Sequence, residues 1–281
     1  MDHVVSTHLF INHRLTTVWL EKLWDAGVAA VEIFCAKQHF DYTNKAQVNE
    51  LAAWFRDSPL KLWALHLPMH SDDVSGRSGP QATLNITESA KGRRIEIVDE
   101  LKRAVEVTER IPCRYLVQHL GAGGEEFHER KLDAAFTCLD ELNLFARQRE
   151  AEVLLENIPN ELSSAERLNY FLDITHLNNG YCFDTGHAHI EAVKSGSTVA
   201  QEFELMKGRI RSTHVHDNNG VIDNHRVPFL HGDGKIDWRD LMARFRSRPG
   251  QFPLNLEIKE SPEFPNPFEI LPQVFERLES Q

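Results

Sequence analysis

The chain has 281 residues, 41% hydrophobic and 26% charged, with a formal net charge of -11 from 31 Lys+Arg against 42 Asp+Glu. No apolar run approaches the roughly 20 residues that span a bilayer, and Met1-Asp2-His3-Val4-Val5 lacks the basic and apolar regions of a secretory signal, so a cytoplasmic protein with no membrane partner is expected. The acidic balance, with no basic cluster beyond Lys91-Gly92-Arg93-Arg94, argues against a nucleic-acid backbone as partner but leaves room for a local basic groove.

In chain order, residues 3–10 read as a first strand, followed by the polar turn Ile11-Asn12-His13. Thr16 or Thr17 can cap a helix through Leu23 and Trp24, and Gly27 ends it. Residues 28–35 form a second strand containing Glu32. In residues 44–56, Val48, Leu51, Ala52 and Phe55 recur at helical spacing. Pro59 breaks the chain, and residues 60–67 form a third strand with His66 near its end. The Ser-, Asp- and Gly-rich stretch 68–85 is a long loop. A helix is expected over 87–110, with Ile95, Val98, Leu101 and Val105 on one side.

Residues 113–120 make the fourth strand, with His119 before Gly121-Ala122-Gly123-Gly124; a helix over 129–148 and a fifth strand over 152–158 follow. After a helix over 164–174, Tyr181-Cys182-Phe183-Asp184 reads as a buried strand running into a loop that carries His187. A helix near 199–206, a seventh strand over 210–216, a long loop over 217–235, a helix over 238–245, an eighth strand over 253–258 and a helix over 267–278 complete the chain. Such alternation predicts a parallel sheet with crossover helices. Eight repeats in this length favour an α/β fold of the closed (β/α)8 type, one barrel domain over 1–281. No GxGxxG opens a helix after a strand, which weakens a dinucleotide-binding alternative. The scattered Cys35, Cys113, Cys138 and Cys182 are expected as buried thiols rather than a disulfide framework.

Period two in the eighth strand sets Leu254, Leu256 and Ile258 against helices and turns Asn255 and Glu257 into the barrel. Glu156 shares a face with Leu154, and Ser212, His214 and His216 share another. A buried, unpaired carboxylate is costly, so Glu156 and Glu257 facing one cavity require a cation or shared protons. The strand-end set is His66, His119, Glu156, Asp184, His187, His214 and Glu257, joined by Asp223-Asn224-His225 from the loop after the seventh strand. Singly, each histidine reads more readily as an ordinary core or surface residue. Together they matter, because side chains from different strands of a barrel converge at its C-terminal face. Glu32 and His70 are left outside the ligand set.

These strand ends resemble the xylose isomerase-like TIM barrel superfamily, which holds sugar isomerases, ketose 3-epimerases, inosose dehydratases and zinc apurinic endonucleases. The resemblance covers nearly the whole chain. It is carried by Glu156-Asn157, Phe183-Asp184-Thr185-Gly186-His187, His214-Val215-His216-Asp217-Asn218, and Asp223-Asn224-His225 with Gly232-Asp233-Gly234-Lys235-Ile236-Asp237. It implies one metal on Glu156, Asp184, His214 and Glu257. By the endonuclease pattern it also implies a second metal on His66, His119 and Glu156, and a third on His187, Asp223 and His225. Two departures lower the endonuclease reading: Leu67-Pro68-Met69-His70 and Ile158-Pro159-Asn160 stand where those enzymes usually carry other motifs.

The resemblance therefore implies a divalent-metal-dependent isomerase or epimerase acting on a sugar, sugar phosphate or polyol. Glu156 and Glu257 would pass a proton through an enediolate, with His187 and Arg226 as substrate contacts. One to three ions of Zn, Mn, Mg or Co suit mixed imidazole and carboxylate ligands, and a homo-oligomer is implied by analogy alone. The alternative is a zinc-dependent phosphodiesterase acting on abasic DNA. A barrel that binds a metal or sugar without catalysis is the blandest reading.

Overall fold

In the computed structural model, which describes residues 1–230, 232, 234–248 and 252–281, every paired strand runs parallel to its neighbours. The strands are β1 (His3–Ser6), β2 (Ala30–Phe34), β3 (Lys61–His66), β4 (Tyr115–His119), β5 (Glu152–Glu156), β6 (Gly180–Asp184), β7 (Ile210–His214) and β8 (Leu254–Leu256). Their spatial order is β7-β6-β5-β4-β3-β2-β1-β8. The two edges meet where Val215 pairs with Leu256 through Val215 N–H to Asn255 O at 2.8 Å and Glu257 N–H to Val215 O at 3.2 Å. The expected eight-stranded barrel is thus present, closed by a bridge just past β7.

Helices cover the outside: α1 (Thr17–Asp25), α2 (Lys45–Asp57), α3 (Lys91–Val105), α4 (Glu129–Arg147), α5 (Ala165–Asp173), α6 (Thr185–Ser195), α7 (Val199–Met206), α8 (Trp238–Arg246) and α9 (Pro267–Glu279). Their starts follow from local chemistry. Asn44 accepts from the Ala46 and Gln47 amides to open α2, and Thr198 with Gln201 forms a reciprocal capping box on α7. Gly27, at φ +82°, takes the left-handed turn that ends the α1 region. Outward strand residues such as Val31, Ile33, Leu116, Leu155 and Phe183 pack on these helices as the main core. Among the described residues, no helix is long and apolar enough to cross a membrane.

A smaller cluster of Ala64, Tyr115, Val117, Leu154 and Cys182, flanked by Trp63, fills the barrel interior. The Trp63 indole N–H donates to Ser212 Oγ at 3.1 Å across it, so Trp63 is part of this plug. Two positions further along the same strands come His66, His119, Glu156, Asp184 and His214. Side chains two apart share a face. The apolar plug therefore lifts a polar layer to the C-terminal mouth.

Several boundaries depart from the sequence reading. The first strand stops at Ser6, and Thr7–Phe10 turns into a 3-10 helix with Ser6 Oγ accepting from the His8 amide at 3.4 Å. The helix expected over 87–110 is α3 followed by a 3-10 turn at Glu106–Glu109. Its buried face is Ile97, Val98, Leu101, Ala104 and Val105, while Ile95 is 54% exposed. The chain after Asp184 is no loop: α6 begins at the next residue. The long 68–85 loop is tied down by an antiparallel bridge between His70 and Thr83. All four cysteines are free and buried, as expected.

Candidate metal centre

The strand-end residues converge. Glu156, Asp184, His214 and Glu257 each offer a donor atom, all within 4.8 Å of one another. His66, His119 and Glu156 form a second such group, and His187, His216, Asp223 and His225 a third. Asp233, quoted in the sequence resemblance, lies outside the described residues.

His214 is the hub of the first group. It has no exposed surface. Its Nδ1 lies 3.1 Å from Glu156 Oε1, 3.2 Å from Glu257 Oε2 and 3.8 Å from Asp184 Oδ2. Yet Nδ1 has no hydrogen-bond partner. The opposite nitrogen, Nε2, is held 3.0 and 3.2 Å from the two oxygens of Glu32, itself wholly buried. With Nε2 held by Glu32, Nδ1 faces three carboxylates. Burial would lower this ring, but Cys182, Glu257, Glu32 and Glu156 draw it well above its ordinary value. A cation at Nδ1 would take the place of the proton they favour, meeting the lone pair instead. A lone pair so placed, with oxygen donors around it, fits a divalent cation; a carboxylate behind a ligand histidine is the usual way of fixing its tautomer.

Glu156 joins the groups. Its Oε2 lies 3.1 Å from His119 Nε2 and 3.4 Å from His66 Nε2, while Oε1 lies 3.3 Å from His187 Nδ1 as well as near His214. Asp184 does two jobs. Its Oδ1 accepts the His187 amide at 2.6 Å as the N-cap of α6, and its oxygens lie 3.0 Å from His216 Nε2. In the third group, His187 Nε2 lies 3.1 Å and His225 Nε2 3.3 Å from Asp223, and the His216 and His225 rings stack at 4.0 Å. His225 holds a left-handed backbone, φ +46°, rare outside glycine, and its Nδ1 is bonded to Glu257 O at 2.8 Å. Gly186 makes room for His216: a Cβ there would lie 2.0 Å from His216 Cε1.

The electrostatics reflect crowded charge. Burial alone would raise the Glu156 carboxyl, but His214 and His119 overcome it and hold it well below the usual range. Burial pushes Glu257 well above that range; His214 relieves it only in part, and Glu156, Glu32 and Asp184 add repulsion. Burial would lower His187, but Asp184, Asp223 and Glu156 draw it well above its ordinary value. Burial and its neighbour His216 bring His225 down to about 4. Four buried carboxylates at one mouth need positive charge, whether imidazolium or cation.

All nine expected ligand residues thus lie at one mouth. Two more belong with them. His216 joins the third group, although the sequence reading gave it no role. Glu32, which that reading set aside, backs His214. Arg226 lies to the side: its backbone pairs with Asp217, its guanidinium rests against Asn224, and with His225 and Lys259 it lines a cavity of about 620 Å³. A second cavity of about 170 Å³ adjoins His119, lined by Leu67, Met69 and Asn85. His70 is bonded to Ser75 Oγ at 2.9 Å.

Comparison with known proteins agrees with this architecture. The chain is 26% identical over 172 residues to y4fM, an uncharacterised protein of Sinorhizobium fredii, a match covering 57% of this chain and 52% of the relative. The match thus spans about half that relative's length. Among solved structures, a D-tagatose 3-epimerase-like protein superposes with TM-score 0.73 at 22% identity, covering 100% of this chain and 99% of the other. The 3-keto-D-glucoside 4-epimerase YcjR of E. coli gives 0.75 at 13% identity, covering 100% of both chains. The IolI protein with a bound zinc atom gives 0.72 at 17% identity, covering 99% of this chain and 97% of the other. At these identities the likeness is one of fold. Residues 20–281 match the model of one family along their whole length, and the chain belongs to that family, the xylose isomerase-like TIM barrels.

Proposed function

We propose that the protein is a divalent-metal-dependent isomerase or epimerase acting on a sugar, sugar phosphate or polyol. The observation that carries this is the approach of Glu156 and Glu257, from β5 and from just past β8, to the same unpartnered nitrogen of His214 at 3.1 and 3.2 Å. The epimerase names of two structural neighbours support the reaction class, and the zinc of a third supports a metal.

Glu156, Asp184, His214 and Glu257 would hold the ion. When bound, a divalent cation supplies Lewis acidity, making a C–H beside a carbonyl easier to deprotonate. The carboxylates do the proton work: one of Glu156 and Glu257 takes the proton from carbon, and the other delivers a proton to the opposite face or the adjacent carbon. In this reading His187, at the first turn of α6, and Arg226, which lines the neighbouring cavity with His225, would be the contacts for substrate hydroxyls or an anionic substituent. The test is solvent deuterium entering a ketose such as D-tagatose or D-fructose. The wild type should incorporate label, and Glu156→Gln and Glu257→Gln should each lose it while keeping the wild-type circular dichroism spectrum. Near-normal incorporation in either variant would sink the two-carboxylate scheme.

One observation favours a second reading. Glu156 turns one oxygen to His66 and His119 and the other to His214 and His187, as a carboxylate shared between ions would. That suits a polynuclear phosphodiesterase. Three tightly held zinc ions and cleavage of an abasic oligonucleotide would decide for it; the net charge of -11 speaks against a DNA substrate.

A further inference from the structure

Two cavities flank the mouth, and their walls differ in charge. The one beside His119, about 170 Å³, is lined by Leu67, Met69, Leu84 and Asn85 among others, and by no Lys, Arg, Asp or Glu among the described residues. The one beside His225, about 620 Å³, has Arg226, Lys259, Glu260 and Glu263 in its wall. That size lies within the range of small-molecule sites, ~300–1,000 Å³.

The four charges of the larger cavity are not alike. Glu260 is turned to His13, its oxygens 3.1 and 3.2 Å from Nε2. Glu263 and Arg226 are each engaged as well. Among the described residues, the Lys259 ammonium makes no hydrogen bond or ion pair. Its place is set by the end of β8. Lys259 follows Glu257 by two, and its backbone N–H donates to His225 O at 3.0 Å. The residue is exposed, so a ligand can reach it. Burial lowers the His225 and His8 rings, which lie 4.8 Å apart, and the Lys259 charge lowers both further. The ammonium therefore bears on the mouth from the His225 side.

The mouth itself repels anions, because Glu32, Glu156, Asp184 and Glu257 are all buried there. A substrate carrying a negative group must hold it off to one side, against a cation. The His119 cavity has none. The His225 cavity has an uncommitted ammonium next to a guanidinium, and a lysine binds phosphate as a point charge.

We propose that the cavity beside His225 receives an anionic substituent of the substrate, a phosphate or a carboxylate, and that Lys259 is its charge partner. This rests on the sugar-enzyme reading above and narrows it to sugar phosphates or sugar acids.

D-Fructose, D-fructose 6-phosphate and D-fructuronate share one carbon skeleton and differ at C6. The test reads their affinities by calorimetry for zinc-loaded wild type, Lys259→Met and Lys259→Arg, with solvent deuterium incorporation alongside. The wild type should bind one of the charged pair roughly tenfold or more tighter than D-fructose, and which one it is names the substituent. Lys259→Met should cut that preference about tenfold, while Lys259→Arg should keep most of it. The wild-type preference should shrink as salt is raised. Equal affinity for all three, or a preference that Lys259→Met leaves intact, would overturn this inference alone. If none of the three binds and none takes up label, the sugar-enzyme reading falls and this inference with it.

Discussion

A neutral imidazole has one nitrogen with a proton and one with a lone pair, and a bonded carboxylate decides which is which. Glu32 makes that choice for His214. Removing its side chain frees the ring to turn or to change tautomer, so Glu32→Ala should bind Zn2+ or Mn2+ roughly 10–100-fold more weakly. Glu32→Gln, which can still accept from Nε2, should lose less. Calorimetric titration checks both, and wild-type affinity in Glu32→Ala would count against this role. The sequence concealed Glu32 because it stands between Val31 and Ile33 in a strand buried throughout; the reading that gave Glu257 a facing from its alternating neighbours was not made there. His216 differs: period two sets it on the His214 face, though β7 itself ends at His214, and its 3.0 Å approach to Asp184 is what adds it to the cluster.

At the scale of elements, Asp184 ends β6, starts α6 and lends an oxygen to the cluster. Its charge and its capping oxygen can be separated. Asp184→Asn keeps an acceptor for the His187 amide and loses the charge; Asp184→Ala loses both. Both variants should lose metal binding, and the alanine variant should be about 1 kcal/mol less stable than the asparagine one by denaturant unfolding. The loop expected after Asp184 is a helix because Asp184, besides facing the cluster, caps α6 through the His187 amide, and the helix absorbs Gly186, a poor helix former. Asp184 is an N-cap residue by type, and that signal was there to be read. The strand-end pattern was legible because period two holds wherever a strand is regular, as Leu154 and Glu156 show; it gave out where the backbone turned early, at Ser6.

A second tie between elements gives an acid-pH signature. Glu100 on α3 accepts the Tyr42 hydroxyl at 2.7 Å and meets Lys37 at 3.0 Å, joining the β2–α2 connection to α3. Burial would raise its carboxyl, but these partners, with Arg103, hold it below the ordinary value. A lowered carboxylate stabilises the fold above its unfolded pKa of about 4.3, and that share is lost as pH falls through the lower folded value. Unfolding followed from pH 6 to pH 3 should therefore show a shallower acid loss for Glu100→Gln than for the wild type. Equal slopes would remove Glu100 from the acid response.

For the whole molecule, the proposed ion at a cluster of buried carboxylates in a chain of net charge -11 would enter the stability balance. A divalent ion at a hundred times its dissociation constant should add about 2.7 kcal/mol to the folded state, and a chelator should remove it. Scanning calorimetry with and without Zn2+ tests this, and an unchanged melting temperature would mean that no ion binds the native mouth preferentially. The two-sided placement of Glu156 has a further consequence. An ion drawing on one of its oxygens leaves the other a poorer donor, so the neighbouring positions cannot fill independently. Titration should show successive steps of falling affinity, and the protein would be mononuclear when metal is scarce and polynuclear when it is plentiful.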